Sequence, residues 1–174
     1  MDVKLGLGLA SGMFYTAPAG TALPTKPTDT IPEAWTKVGD VTSDGIEVGL
    51  SKSNTNLKNW ANQIKRSLLS DHEETIKTPL MDTTEATLKT VLGDSNVSNS
   101  AGVIKANLSA SALPEPKAFL WVMKDGDDMM MLGASTAQVT AVDNVAFKPD
   151  QGITWNATIT AQGAGLVFLI EEGA

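Results

Sequence analysis

The sequence has no cysteine, one histidine and one tyrosine. Without thiols it can form no disulfide, hold no Fe–S cluster, build no thiolate zinc site and offer no Cys nucleophile. His72 is then the single imidazole on which any His-dependent triad or metal site must rest. It lies in Ser70-Asp71-His72-Glu73-Glu74, where successive side chains point apart, so it is read as a solvated loop histidine. No apolar run approaches the roughly 18–20 residues needed to cross a bilayer, and no membrane role is expected. Basic residues are also scarce, 13 against 20 acidic for a net charge of −7. Lys65-Arg66 is the one close basic pair, which argues against a surface built to grip nucleic-acid phosphates. The start, Met1-Asp2-Val3-Lys4-Leu5-Gly6, makes a poor signal peptide, and synthesis in the cytosol is expected.

The remaining chemical motifs are weak. Gly6-Leu7-Gly8-Leu9-Ala10-Ser11-Gly12 lacks the G-x-G-x-x-G spacing and the following helix of a dinucleotide loop. Asp125-Gly126-Asp127-Asp128 fails the EF-hand order and reads as a hairpin turn. Met129, Met130 and Met131 read as buried strand residues rather than a soft-metal site. Trp35, Trp60, Trp121 and Trp155 sit in or beside apolar stretches, which suits core or subunit contacts better than a sugar-stacking platform. No catalytic residue, cofactor or metal is expected.

What the chain does contain is β-signal. Fifteen glycines, eight prolines and 42% hydrophobic residues suit a turn-rich globular fold. Residues 1–34 are punctuated by Pro18, Pro24, Pro27 and Pro32, yet carry Met13, Phe14, Tyr15, Leu23 and Ile31. They read as an extended apolar arm, lying across its own domain or a neighbouring subunit. Residues 35–174 read as a single domain. Ile46, Val48 and Leu50 alternate with Glu47, Gly49 and Ser51, the period of a half-buried strand. The polar stretch 51–59 has no apolar period and is expected to be a long loop. Strands are expected over Trp60–Leu69 and Glu74–Leu80, with a bend at Ser70-Asp71-His72. A helix over about 82–92 follows, with Asp82 as cap, Glu85 at the third position, Leu88, Val91 and Leu92 on one face, and Gly93 as its stop. After a polar loop at 93–101, further strands are expected at Val103–Ser109, Met129–Gly133, Thr136–Val142, Ile153–Ala161 and Leu166–Ile170. The run Ala118–Met123 should be buried on both faces. Roughly eight strands and one helix predict a mainly β protein, a two-sheet sandwich or closed barrel.

Several of these segments, taken in order, resemble the major tail, or tail tube, proteins of long-tailed (siphovirus-type) bacteriophages, particularly those of Gram-positive hosts. Trp35-Thr36-Lys37-Val38-Gly39-Asp40-Val41-Thr42-Ser43-Asp44-Gly45-Ile46 is similar to that family's W-x-x-hydrophobic-G-x-V-S-x-D-G-hydrophobic signature. Leu57-Lys58-Asn59-Trp60 follows a polar loop as in the family. Asp82-Thr83-Thr84-Glu85-Ala86-Thr87-Leu88, with Gly93, is similar to its helix, although Met81-Asp82 replaces the more usual Glu-Thr or Glu-Ser pair. Upstream, Gly12-Met13-Phe14-Tyr15-Thr16-Ala17-Pro18-Ala19-Gly20-Thr21-Ala22-Leu23-Pro24 resembles its arm.

The resemblance implies a β-sandwich or half-open barrel flanked by one short helix. It implies that six copies form a ring, that inner sheets join into one barrel, and that rings stack into a hollow tail tube through which DNA passes. The site would be the virion tail, assembled in the host cytoplasm. The implied partners are other copies of the chain, the tape measure protein, tail assembly chaperones, and the tail terminator and tail tip proteins, with DNA only as transiting cargo. A ring of six would carry −42 formal charges, which would discourage DNA from adhering. Asp71, Glu73 and Glu74 are the candidate lumen-facing acids, and Phe14, Tyr15, Leu57 and Trp60 the candidate contacts between subunits. A tail terminator, a contractile injection-system inner tube and a carbohydrate-binding sandwich are the alternatives.

Overall fold

A computed structural model describes residues 3–109 and 111–173. Among the described residues, eleven strands, one α-helix and a short 3-10 turn at Asp94–Asn96 follow one another. The strands are β1 (Leu7–Gly8), β2 (Phe14–Pro18), β3 (Thr36–Gly39), β4 (Glu47–Lys58), β5 (Ile64–Leu80), β6 (Val97–Ser100), β7 (Val103–Ala106), β8 (Lys117–Asp125), β9 (Asp128–Val142), β10 (Trp155–Ala161) and β11 (Val167–Glu171). The helix α1 (Glu85–Leu92) falls between β5 and β6. The protein is thus mainly β with one short helix.

Nine strands share one hydrogen-bonded path, β3-β2-β8-β9-β10-β5-β4, with β1 added beside β8 and β11 beside β9. The path folds over on itself at β9. The first half of β9 pairs with β8 and β11, and its second half pairs with β10. The two layers so formed enclose one core. Phe14, Phe119 and Trp121 from β2 and β8 meet Ile76, Leu80, Trp155 and Ile159 from β5 and β10. The three aromatics Phe14, Phe119 and Trp121 stack at centroid distances of 5.2–6.1 Å. A bridge between Val41 and Leu80 ties the β3 end of the path back to β5, so the sheet is a half-open barrel.

Of the run Ala118–Met123, expected to be buried on both faces, Ala118–Val122 is buried along its whole length and Met123 is half-buried. Its second face packs on Ala17, Trp35 and Met131 and is covered by Leu23 and Ile31. Leu23 sits so close over Gly133 that a Cβ there would stand 2.7 Å from its methyl carbon. The proline-rich segment upstream of Trp35 therefore lies across its own subunit. Helix α1 seats Leu88 and Val91 in the main core beside Val38 and Val97. Its cap is Thr84 rather than Asp82: the Thr84 hydroxyl accepts from Thr87 N–H at 3.2 Å. Asp82 instead accepts the Asp40 N–H at 2.8 Å, binding the helix start to the loop after β3. Gly93, at φ 95°, ends the helix as expected.

Two expectations about β4 and β5 are overturned. Residues 51–59 do not form a loop, because Glu47–Lys58 is one unbroken strand paired with β5 from Glu47↔Lys77 to Lys58↔Ile64. Ser70-Asp71-His72 is no bend between strands either. β5 runs straight through it with a bulge that leaves Ser70 unpaired between the Asn54↔Leu69 and Ser53↔Asp71 pairs. The chain reverses at Asn59–Gln63, where Asn59 N–H donates to Gln63 O and Asn62 takes a φ of 61°. A further small hairpin joins β6 to β7 through Ala101-Gly102, both at positive φ.

Candidate assembly surfaces

The β4–β5 pair dominates the surface. Only Thr75–Leu80 of β5 pairs with β10. Beyond that point β4 and β5 hold only each other, and β4 has no partner on its outer edge. The stretch from Ile64 to Thr75 projects roughly 35 Å at the rise of a strand. Every residue from Glu47 to Glu73 is exposed or lies in the exposed turn. Among them are Leu50, Leu57, Ile64 and Leu69, each at least half exposed, and Trp60, at 105% relative exposure. A lone two-stranded ribbon is marginal in water, and an unpaired edge with apolar side chains is a template for another chain.

Strand alternation sorts this ribbon into two faces. One continues the core side: Val48 pairs with Ile76, Leu50 with Glu74 and Lys52 with His72. The other carries Gly49, Ser51 and Ser53 opposite Thr75, Glu73 and Asp71. That second face continues across the body through Asn156, Thr158 and Thr160 of β10, which stand between the buried Trp155, Ala157 and Ile159. Gln138 of β9 pairs with Thr160 and extends it. Its side chains bond one another: Thr140 Oγ1 to Thr160 Oγ1 at 2.8 Å, and Gln162 Nε2 to Gln138 Oε1 at 3.0 Å. The result is a wide carpet of Ser, Thr, Asn and Gln, charged where Glu47, Asp71, Glu73 and Lys77 stand on it.

The three acids singled out from the sequence therefore divide between two surfaces. Asp71 and Glu73 share the polar carpet. Glu74 lies on the core side, where its carboxylate accepts Leu166 N–H at 2.5 Å and bonds His72 Nε2 at 2.7 Å. The Leu166 N–H holds its pKa below the usual carboxylate value; burial, the next largest effect, opposes it, and the His72 contact adds a smaller lowering one.

The four candidate contact residues also separate. Phe14 is fully buried and packs its own subunit's core. Tyr15 is half-buried against the cluster beneath the N-terminal segment. Leu57 and Trp60 stand at the far end of the ribbon, both exposed. Trp35, Trp121 and Trp155 are each at most 5% exposed, so the tryptophans form no stacking platform. The turn Asp125–Asp128 fastens chain ends: Asp125 accepts Leu5 N–H at 3.0 Å, and Asp128 pairs with Lys4 and accepts Gly173 N–H. Among the described residues no group of three or more His, Asp or Glu is placed to hold a metal ion.

The chain matches a known family over residues 9–166 and belongs to it: the phage tail tube proteins. Its place is thus with the structural proteins of a viral tail. No curated protein matches the chain. Among solved structures, a protein of the virion of a native gene transfer agent particle is 11% identical, with a TM-score of 0.46 over 79% of this chain and 91% of its own. One from the tail of an empty gene transfer agent particle is 10% identical, with a TM-score of 0.47 over 92% and 97%. The tube-terminating cap of an anti-feeding prophage is 8% identical and shares the fold, with a TM-score of 0.52 over 98% and 97%.

Proposed function

We propose that this subunit assembles with copies of itself, six to a ring, and that the rings stack into a hollow tail tube through which phage DNA passes during ejection. The observation that carries the reading is the β4–β5 ribbon. Its projecting part, Glu47–Glu73, holds leucines, an isoleucine and a tryptophan in water, leaves one edge unpaired and buries nothing in the subunit's own core. A neighbouring copy supplies the missing partner for both edge and apolar side chains. The Ser/Thr/Asn/Gln carpet, bearing Asp71 and Glu73, is the face that lines the lumen. Fixed hydroxyls and amides with few charges offer phosphates nothing to bind strongly. Glu74 instead braces the turn before β11, on the other side of the sheet. Tyr15, Leu57 and Trp60 serve contacts between copies.

In this reading the tube sits in the virion tail after assembly in the host cytoplasm, alongside the tape measure protein, assembly chaperones, tail terminator and tail tip proteins. Negative-stain microscopy and sedimentation velocity of the purified chain across a concentration series test it. Rings that extend into tubes wider than a DNA duplex support it. Single rings that never stack indicate a terminator instead, and a strictly monomeric chain overturns it.

A further inference from the structure

The ribbon ends in a knob, and the opposite end of the same ribbon carries a hole. Trp60 makes the knob, since nothing in its own subunit covers the indole. The hole is a cavity of about 290 Å³ lined by Leu7, Met13, Val41, Ile46, Trp121 and Met123. A cavity of about 150 Å³ admits benzene, and indole, with nine ring atoms to benzene's six, needs half as much again, about 225 Å³. Thr42 also lines the hole, and its Oγ1 is buried without a hydrogen-bond partner within the subunit. An indole N–H is a donor without an acceptor, the group such an oxygen lacks.

Charge makes the match directional. Residues 51–70 hold Lys52, Lys58, Lys65 and Arg66 and not one acid, whereas the rest of the chain has 9 basic against 20 acidic residues, a net −11. The hole sits among those acids. Asp44 falls between the lining residues Ser43 and Gly45, and Asp125 bonds the backbone just before Gly6 and Leu7. Asp127 stands in the same turn as Asp125. Of the neighbouring bases, Lys37 pairs with Asp40 at 3.4 Å and Lys4 with Asp128, which leaves Lys124, the strand partner of Leu7, as the one base at the rim with no ion pair among the described residues. Asp44 and Asp127 have no ion pair among the described residues. Ile46, at the hole, immediately precedes β4, and Trp60 follows it. A chain cannot seat its own knob across the full length of a rigid strand, so the occupant is a second copy.

We propose that Trp60 of one copy seats in the Met13–Ile46–Met123 cavity of the next, its N–H on Thr42 Oγ1, with Lys58, Lys65 and Arg66 against Asp44, Asp125 and Asp127. This rests on the self-assembly reading and names its principal contact.

The test uses the full chain. Trp60→Ala removes a side chain that touches nothing in the subunit, so the thermal midpoint stays unchanged while the concentration needed for assembly rises about tenfold or more. Lys65→Glu with Arg66→Glu abolishes assembly, and adding Asp44→Lys with Asp127→Lys restores part of it. The chain has no cysteine of its own, so Ser43→Cys combined with Ala61→Cys oxidises within assemblies to a ladder of covalent multimers, which neither single variant gives. If the unmodified chain assembles but Trp60→Ala assembles equally well, or the double-cysteine assemblies give no ladder, the knob-and-hole contact is wrong and the tube reading stands. If the unmodified chain never assembles, both fall.

Discussion

At the scale of single residues, burial separates two kinds of aromatic and two kinds of acid. Phe14 has no exposed surface and stacks on Phe119 and Trp121. Phe14→Ala should destabilise the isolated subunit by about 3–5 kcal/mol, read as a lower denaturation midpoint. Glu74 gives a pH signature. Its folded pKa lies below its unfolded value, so its stabilisation is present above the unfolded value, near 4.3, and is lost as pH falls through the folded one. Glu74→Gln should therefore cost about 1 kcal/mol at pH 7, and the two proteins should converge in thermal midpoint as the pH drops below the carboxylate range. The sequence alone placed Glu74 with Asp71 and Glu73 because adjacency in a presumed bend hides alternation. Once Ser70 is a bulge in an unbroken strand, the three cannot share a face.

At the scale of elements, what was legible was what the subunit itself buries. The alternation of Ile153–Ala161 and the Leu88–Val91 helix face were readable because the main core imposes its period on them, and the run Ala118–Met123 because its two faces meet two apolar clusters. Residues 51–58 were not, since periodicity reports burial rather than hydrogen bonding. Ser51-Lys52-Ser53-Asn54-Thr55-Asn56 pair fully with β5 while neither face touches the core. The single legible hint was Leu57 and Trp60, apolar residues beside a polar stretch. The ribbon's independence from the core has a measurable consequence. Replacing residues 53–71 with Asn-Gly, a turn that closes Lys52 directly on His72, should leave the thermal midpoint within a few degrees. That variant should remain a single subunit at concentrations where the full chain assembles, as sedimentation velocity would show.

At the scale of the whole molecule, charge is arranged by segment rather than spread. The net −7 conceals a purely basic outer part of the ribbon, residues 51–70 at +4, against −11 for the rest of the chain. Salt should weaken assembly by screening this attraction, most steeply below the ionic strength at which the Debye length reaches about 10 Å. The polar carpet predicts a second behaviour. Tubes of the unmodified chain should release duplex DNA even at low salt. Tubes carrying Thr158→Lys and Thr75→Lys, which add a positive charge at two places on that carpet, should retain it, with retention falling as salt rises. A filter-binding or co-sedimentation assay reads the difference directly.

In the proposed stack the indole and the cavity that receives it lie at opposite ends of one strand pair, which would give the stack a head and a tail. One terminus presents a crown of unburied tryptophans set among lysines. The other presents empty apolar sockets ringed by aspartates. The two termini are chemically unlike, so a protein that starts the stack and one that stops it need never compete for the same surface. Elongation then proceeds one way by default, and a terminating protein needs only to imitate whichever half of the contact it covers.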